Sequence, residues 1–174
     1  YIEEAQVDVI LGGGAVHWYP RGQRLPAALT RDARWRGVGE EGDLVARAAA
    51  LGYDVVLTEQ DLAANLELRK STGEQRPLLG LFAGEEFFVQ TEEGLGAVYD
   101  PPVSLADLTA AAIGVLSRNP NGFFLMVEES AIDRMAHRNN APLTLKGVLE
   151  LDRAVQVGLA FASRHPDTAV IVTA

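Results

Sequence analysis

The chain contains no cysteine, which excludes disulfides, thiolate metal sites and cysteine nucleophiles. It leaves the compartment open, because a cysteine-free protein tolerates oxidising and reducing surroundings alike. Basic residues are also in deficit: 15 Lys and Arg stand against 24 Asp and Glu, a formal net charge of −9. Counterion release needs a basic surface, so nonspecific partnership with nucleic acid or an anionic membrane is disfavoured. No apolar run approaches the roughly 18 residues of a membrane helix. The opening Tyr1, Ile2, Glu3 and Glu4 carry no basic n-region, so no signal peptide is visible. What is present is globular: 48% hydrophobic and 22% charged residues over 174 positions, a composition that argues against a disordered tail. That length fits one domain or part of a larger one.

Five short apolar runs predict buried strands at residues 7–11, 53–58, 78–83, 122–127 and 170–173. Four are almost continuously apolar, the pattern of strands covered on both faces. Helical periodicity fills several gaps. Residues 43–51 place Leu44, Val45, Ala48 and Leu51 on one face and stop at Gly52. Thr58 and Asp61 have capping-box spacing and predict a short helix through Leu66. Ser104 and Asp107 repeat it, opening a helix with Leu105, Leu108, Ala112, Val115 and Leu116 on one stripe. The longest helix is expected over residues 145–164, with Val148, Leu151, Val155, Leu159 and Ala162 facing inward. Alternating strands and helices predict an α/β protein with a mostly parallel sheet. Residues 19–42 and 84–103 interrupt the rhythm, and connections of that length usually carry function or a partner surface. The last run ends on a strand, where α/β sheets place ligand-bearing loops. The chain is therefore expected to be a fragment.

Residues 123–137 read Phe-Phe-Leu-Met-Val-Glu-Glu-Ser-Ala-Ile-Asp-Arg-Met-Ala-His. A hydrophobic strand delivers Glu128 to its carboxyl end, Asp133 follows, and His137 comes four residues later. If the segment is helical, Asp133 and His137 share a face and can reach one cation. Carboxylate plus neutral imidazole suits zinc, while carboxylates suit magnesium. The same spacing also makes a surface ion pair, so spacing alone leaves both readings open.

This stretch resembles the alkaline phosphatase family, whose members carry Phe-Phe-Leu-x-Val-Glu-Gly, then Ile-Asp, then His at this spacing. The likeness extends in order along nearly the whole chain: residues 7–14, 76–83, 103–109, 116–124, 149–156 and 165–174 each resemble a run of that family. The resemblance implies an incomplete three-layer α/β/α core, with residues 1–174 forming part of a catalytic domain. It implies a magnesium ligand in Glu128, and in Asp133 and His137 two ligands of one of two catalytic zincs. The parent is then a phosphomonoesterase working through a phosphoserine intermediate, commonly homodimeric and periplasmic or extracellular. The family's serine nucleophile, phosphate-binding arginine, second-zinc ligands and remaining magnesium ligands have no counterpart here, so the isolated chain is expected to be inactive and prone to self-association. Alternatives are a related phosphodiesterase, sulfatase or phosphomutase, or a non-catalytic α/β binding module. Glu129 departs from the family pattern, which has glycine there, and is expected to point to solvent.

Other residues have plainer readings. Gly12, Gly13 and Gly14 lack the spacing of a nucleotide fingerprint and predict a tight turn with close backbone approach. His17, Trp18 and Tyr19 predict a loop anchored on the domain. Glu40, Glu41 and Asp43 suit a helix N-terminus, and His165 a helix C-terminus. Glu85, Glu86, Glu92 and Glu93 predict solvated loop charge.

Overall fold

Three short strands, β1 (Val9–Gly12), β2 (Asp54–Val56) and β3 (Leu78–Leu81), form a parallel sheet in the order β1-β3-β2 in the computed structural model of the chain. The structure describes residues 2, 4–30, 35–85, 88–89, 98–99 and 101–173. Ile10 and Val55 both register against Leu79, on opposite sides of β3. The central strand is buried along its length, as its unbroken apolar sequence requires for a strand covered on two faces. The described residues fall into two units, residues 1–87 with 115–122 and residues 88–114 with 123–174. The sheet belongs to the first.

Helices α1 (Leu44–Ala50) and α2 (Glu59–Thr72) flank β2 in sequence. Each starts where its cap residue dictates. The Asp43 carboxylate accepts from Ala46 N at 2.8 Å, and the Thr58 hydroxyl from Asp61 N at 3.0 Å. The expected stop at Gly52 holds, whereas α2 runs well past Leu66, to a left-handed Gly73. Ala48 is buried against the sheet side of the core, but Leu51 is exposed.

At the carboxyl ends of β1 and β3 the backbones are knitted together. Gly14 N, Ala15 N and Val16 N donate to Glu85 O, Ala83 O and Gly84 O. A Cβ on Gly13 would lie 2.1 Å from Glu85 O, and Gly14 has φ +79°. The glycine run is thus a turn built for close backbone approach. Tyr19 is buried and Trp18 packs on the same core, while His17 stays exposed. The loop anchors itself as expected. Within residues 20–30 and 35–42, Val38 N donates to Val16 O, and Leu25 and Leu29 are buried. Burial pushes the phenol of Tyr53 above its ordinary pKa, with Asp8 adding to the effect. Its hydroxyl donates to Val7 O at 2.7 Å.

A charged cluster in this unit centres on a buried arginine. The Arg69 guanidinium, 2% exposed, donates to Asp54 Oδ2, Asn65 Oδ1 and Arg76 O, each at 2.6 Å. Arg76 reaches the other Asp54 oxygen at 3.2 Å. The cluster ties α2 to the first residue of β2 and to the entry of β3.

The second unit holds an antiparallel pair, β4 (Phe88–Val89) and β5 (Val98–Tyr99), within the segment read as a long irregular connection. Glu86, Glu92 and Glu93 lie outside the described residues, and Glu85 is exposed. Helix α3 (Leu105–Leu116) begins at the expected cap: Ser104 Oγ accepts from Asp107 N at 3.1 Å and donates to Asp107 Oδ2 at 2.5 Å. Helices α4 (Ser130–His137) and α5 (Ala141–Ala162) follow. Asn140 Oδ1 caps α5 by accepting from Leu143 N, and Pro142 occupies its first turn, where a missing N–H costs nothing. The helix therefore starts before residue 145. Its buried residues are Leu143, Gly147 and Ala154, whereas Val148 and Leu159, expected inside, are exposed.

Two expected strands are not strands. Residues 122–127 and 170–173 form no ladder among the described residues. Each run touches α5: Phe123 packs on Phe161 at 5.8 Å between ring centroids, and Val170 sits 3.9 Å from a Cβ built on Gly158. Their apolar sequences suit strands, yet a strand exists only where a neighbour accepts its hydrogen bonds. Among the described residues no helix is long and apolar enough to cross a membrane. The α/β class read from the sequence holds.

Candidate metal centre

The run at residues 122–127 leads to Glu128 and then, through Glu129, into α4. Ala131 and Met135 occur at positions i and i+4 of this helix and are fully buried with Leu143 of α5. Gly147 makes that approach possible, since a Cβ there would lie 3.1 Å from Ile132 Cγ1 and 3.2 Å from Ile132 N. Two residues further round the helix, Asp133 and His137 occupy the opposite, solvent face. Their side chains are 76% and 79% exposed, and Asp133 Oδ1 lies 3.3 Å from His137 Nε2.

As an ion pair, an exposed i, i+4 contact of this kind adds only about 0.2–0.5 kcal/mol. As a donor set it is better matched to its surroundings. Carboxylate oxygen and imidazole nitrogen are standard zinc donors, both are accessible, and their helix is pinned from behind by Met135. The pair thus fits two positions of a nitrogen–oxygen metal site. Glu128 is exposed, and it does not join them: among the described residues no three acids or histidines form a group able to hold an ion. The structure brings together two of the three sequence candidates.

Glu129 does not simply point to solvent. Its backbone is extended (φ −109°, ψ 90°), and its Oε1 accepts from Ala131 N at 3.0 Å, which makes it the N-cap of α4. Sequence reasoning missed this role because glutamate lies outside the usual Ser, Thr, Asp and Asn cap set. His165 has the structural part expected of it. Its Nδ1 donates to Phe161 O at 2.9 Å in the last turn of α5, and its ring stacks on Phe161 at 3.9 Å.

The family model for alkaline phosphatase matches residues 1–174. The chain is 36% identical over 184 residues to alkaline phosphatase H of Pseudomonas aeruginosa (strain UCBPP-PA14), covering 96% of this chain and 35% of that protein. It is 35% identical over 188 residues to alkaline phosphatase of Escherichia coli (strain K12), covering 98% of this chain and 36% of that protein. The crystal structure of Thermus thermophilus alkaline phosphatase superposes with a TM-score of 0.64 at 32% identity, covering 92% of this chain and 29% of the other. The chain thus spans about a third of the length of the curated relatives it matches. With the parallel α/β sheet and the ordered motifs, these matches show that the chain belongs to the alkaline phosphatase family.

Proposed function

We propose that residues 1–174 are part of the catalytic domain of a metal-dependent phosphomonoesterase, and that their contribution is metal ligation by Asp133 and His137, with Glu128 as a magnesium ligand. The observation that carries this reading is the 3.3 Å approach of Asp133 Oδ1 to His137 Nε2 on the exposed face of α4, in a chain matched end to end by the family model. Zinc held there would supply Lewis-acid stabilisation of the charge developing on the leaving oxygen of a phosphate monoester. The chain's own residues do the positioning. Met135 and Ala131 fix the helix, and its rise sets two donors of different chemistry side by side. Glu128, a hard oxygen donor one residue before the cap, suits magnesium. Family membership further supports a homodimeric enzyme working in the periplasm or outside the cell.

The test is a zinc titration of the chain followed by NMR at the backbone amides of residues 130–138. A saturable shift is expected, weak because only two donors converge, and Asp133→Asn and His137→Ala should each abolish it. An unchanged response in both variants overturns the assignment. The 174-residue chain alone is expected to hydrolyse no p-nitrophenyl phosphate, because two donors cannot fix a two-metal centre; measurable turnover that His137→Ala abolishes would contradict this.

A further inference from the structure

The position that departs from the family motif, Glu129, stands between the two halves of the proposed donor set: Glu128 precedes it directly, and the helix bearing Asp133 and His137 begins directly after it. The geometry points to Glu129 as a positioning residue, one that sets where α4 starts and thereby how Asp133 and His137 are presented to a cation. This inference rests on the metal reading above and deepens it.

Three observations carry it. At Glu129 the backbone turns from extended into helical conformation, so its dihedral angles fix the angle between the run carrying Glu128 and the axis of α4. Its side chain holds that turn closed by accepting from Ala131 N at 3.0 Å, while its own carbonyl accepts from Ile132 N at 3.3 Å. Finally, α4 has only eight residues, too few to be stable as a helix without its cap and its tertiary packing. A short helix whose first turn opens loses the register between residues 133 and 137, because that register exists only while the intervening turn is wound. The carboxylate also suits the positive end of the helix dipole. Glycine, the residue of the family motif, leaves the turn without a side-chain acceptor. This chain supplies one from the residue itself.

The test compares Glu129→Ala with Glu129→Gln in the full 174-residue chain. Glutamine keeps the Oε1 acceptor and loses the charge; alanine loses both. Two readouts are followed: hydrogen exchange at Ala131 N, and the zinc titration seen at the His137 ring. Glu129→Ala should exchange faster at Ala131 N and bind zinc roughly 3- to 30-fold more weakly, the range that loss of an N-cap implies. Glu129→Gln should restore most of both. Equal zinc binding by the wild type and Glu129→Ala overturns the positioning role while leaving the Asp133–His137 pair standing. Equal loss in both variants also overturns it, because the charge and not the capping acceptor would then be responsible. Absence of any saturable response in the wild type removes the metal reading itself, and this inference with it.

Discussion

Asp54→Ala is expected to destabilise the chain by about 3–5 kcal/mol, the cost of leaving a buried charge without its partner. Arg69 is almost fully buried, and one of its three hydrogen bonds goes to Asp54 Oδ2. Removing that carboxylate leaves the Arg69 guanidinium close to a second one, since Arg76 also leans on Asp54. The bonds from Arg69 to Asn65 and to Arg76 O survive, but neither partner carries negative charge. Because a domain of this size is stable by only about 5–15 kcal/mol, a loss of that size moves the urea midpoint far down. The double variant Asp54→Ala, Arg69→Met removes the stranded charge along with its partner. It should recover part of the loss, with a coupling of about 0.5–3 kcal/mol between the two sites. A midpoint shift below the equivalent of about 1 kcal/mol for Asp54→Ala would mean that water or Asn65 satisfies Arg69 without it.

The second large effect is expected at Met135. Met135→Ala should cost about 2–5 kcal/mol through lost burial and the cavity left behind. Met135 is fully buried with Ala131 and Leu143, and these three residues are the small core that fastens α4 to α5. The substitution leaves Asp133 and His137 chemically intact on the other face. It therefore separates donor chemistry from donor placement: hydrogen exchange along α4 should accelerate and the zinc response at His137 should weaken. Met135→Leu keeps the volume and should cost less than about 1.5 kcal/mol. Slow exchange along α4 in Met135→Ala would show that the helix is held by other means.

The helices with conventional caps were the most legible part of the fold. Asp43, Thr58 and Ser104 each announce a helix, and each bonds to the backbone N–H three residues on. A cap is a local event, so local sequence specifies it. Helix α4 was legible only through its spacing, since Glu129 caps it with an unconventional side chain. Asn140 and Pro142 set the start of α5, upstream of the apolar stripe that predicts the helix. Strands are different in kind. Residues 122–127 and 78–81 read alike, yet only the latter, β3, lies in a described ladder. Apolar continuity tells of burial and not of partners. The consequence is visible at Phe124 and Ile171, which are 88% and 86% exposed although their sequences call for cover. At the metal centre, the i, i+4 rule placed Asp133 beside His137. It could not place Glu128, whose position depends on the backbone turn at Glu129 and not on helical periodicity.

The strand order β1-β3-β2 also bears on how the chain is made. Ribosomal synthesis delivers β1 before β2 and β3, and among the described residues its neighbour is β3, which follows α1, β2 and α2 in the chain. Until then the apolar Val9, Ile10 and Leu11 lack their β3 partners Leu78, Leu79 and Gly80. On the side that β3 later covers, β1 is thus a waiting edge during translation, a natural target for chaperone capture.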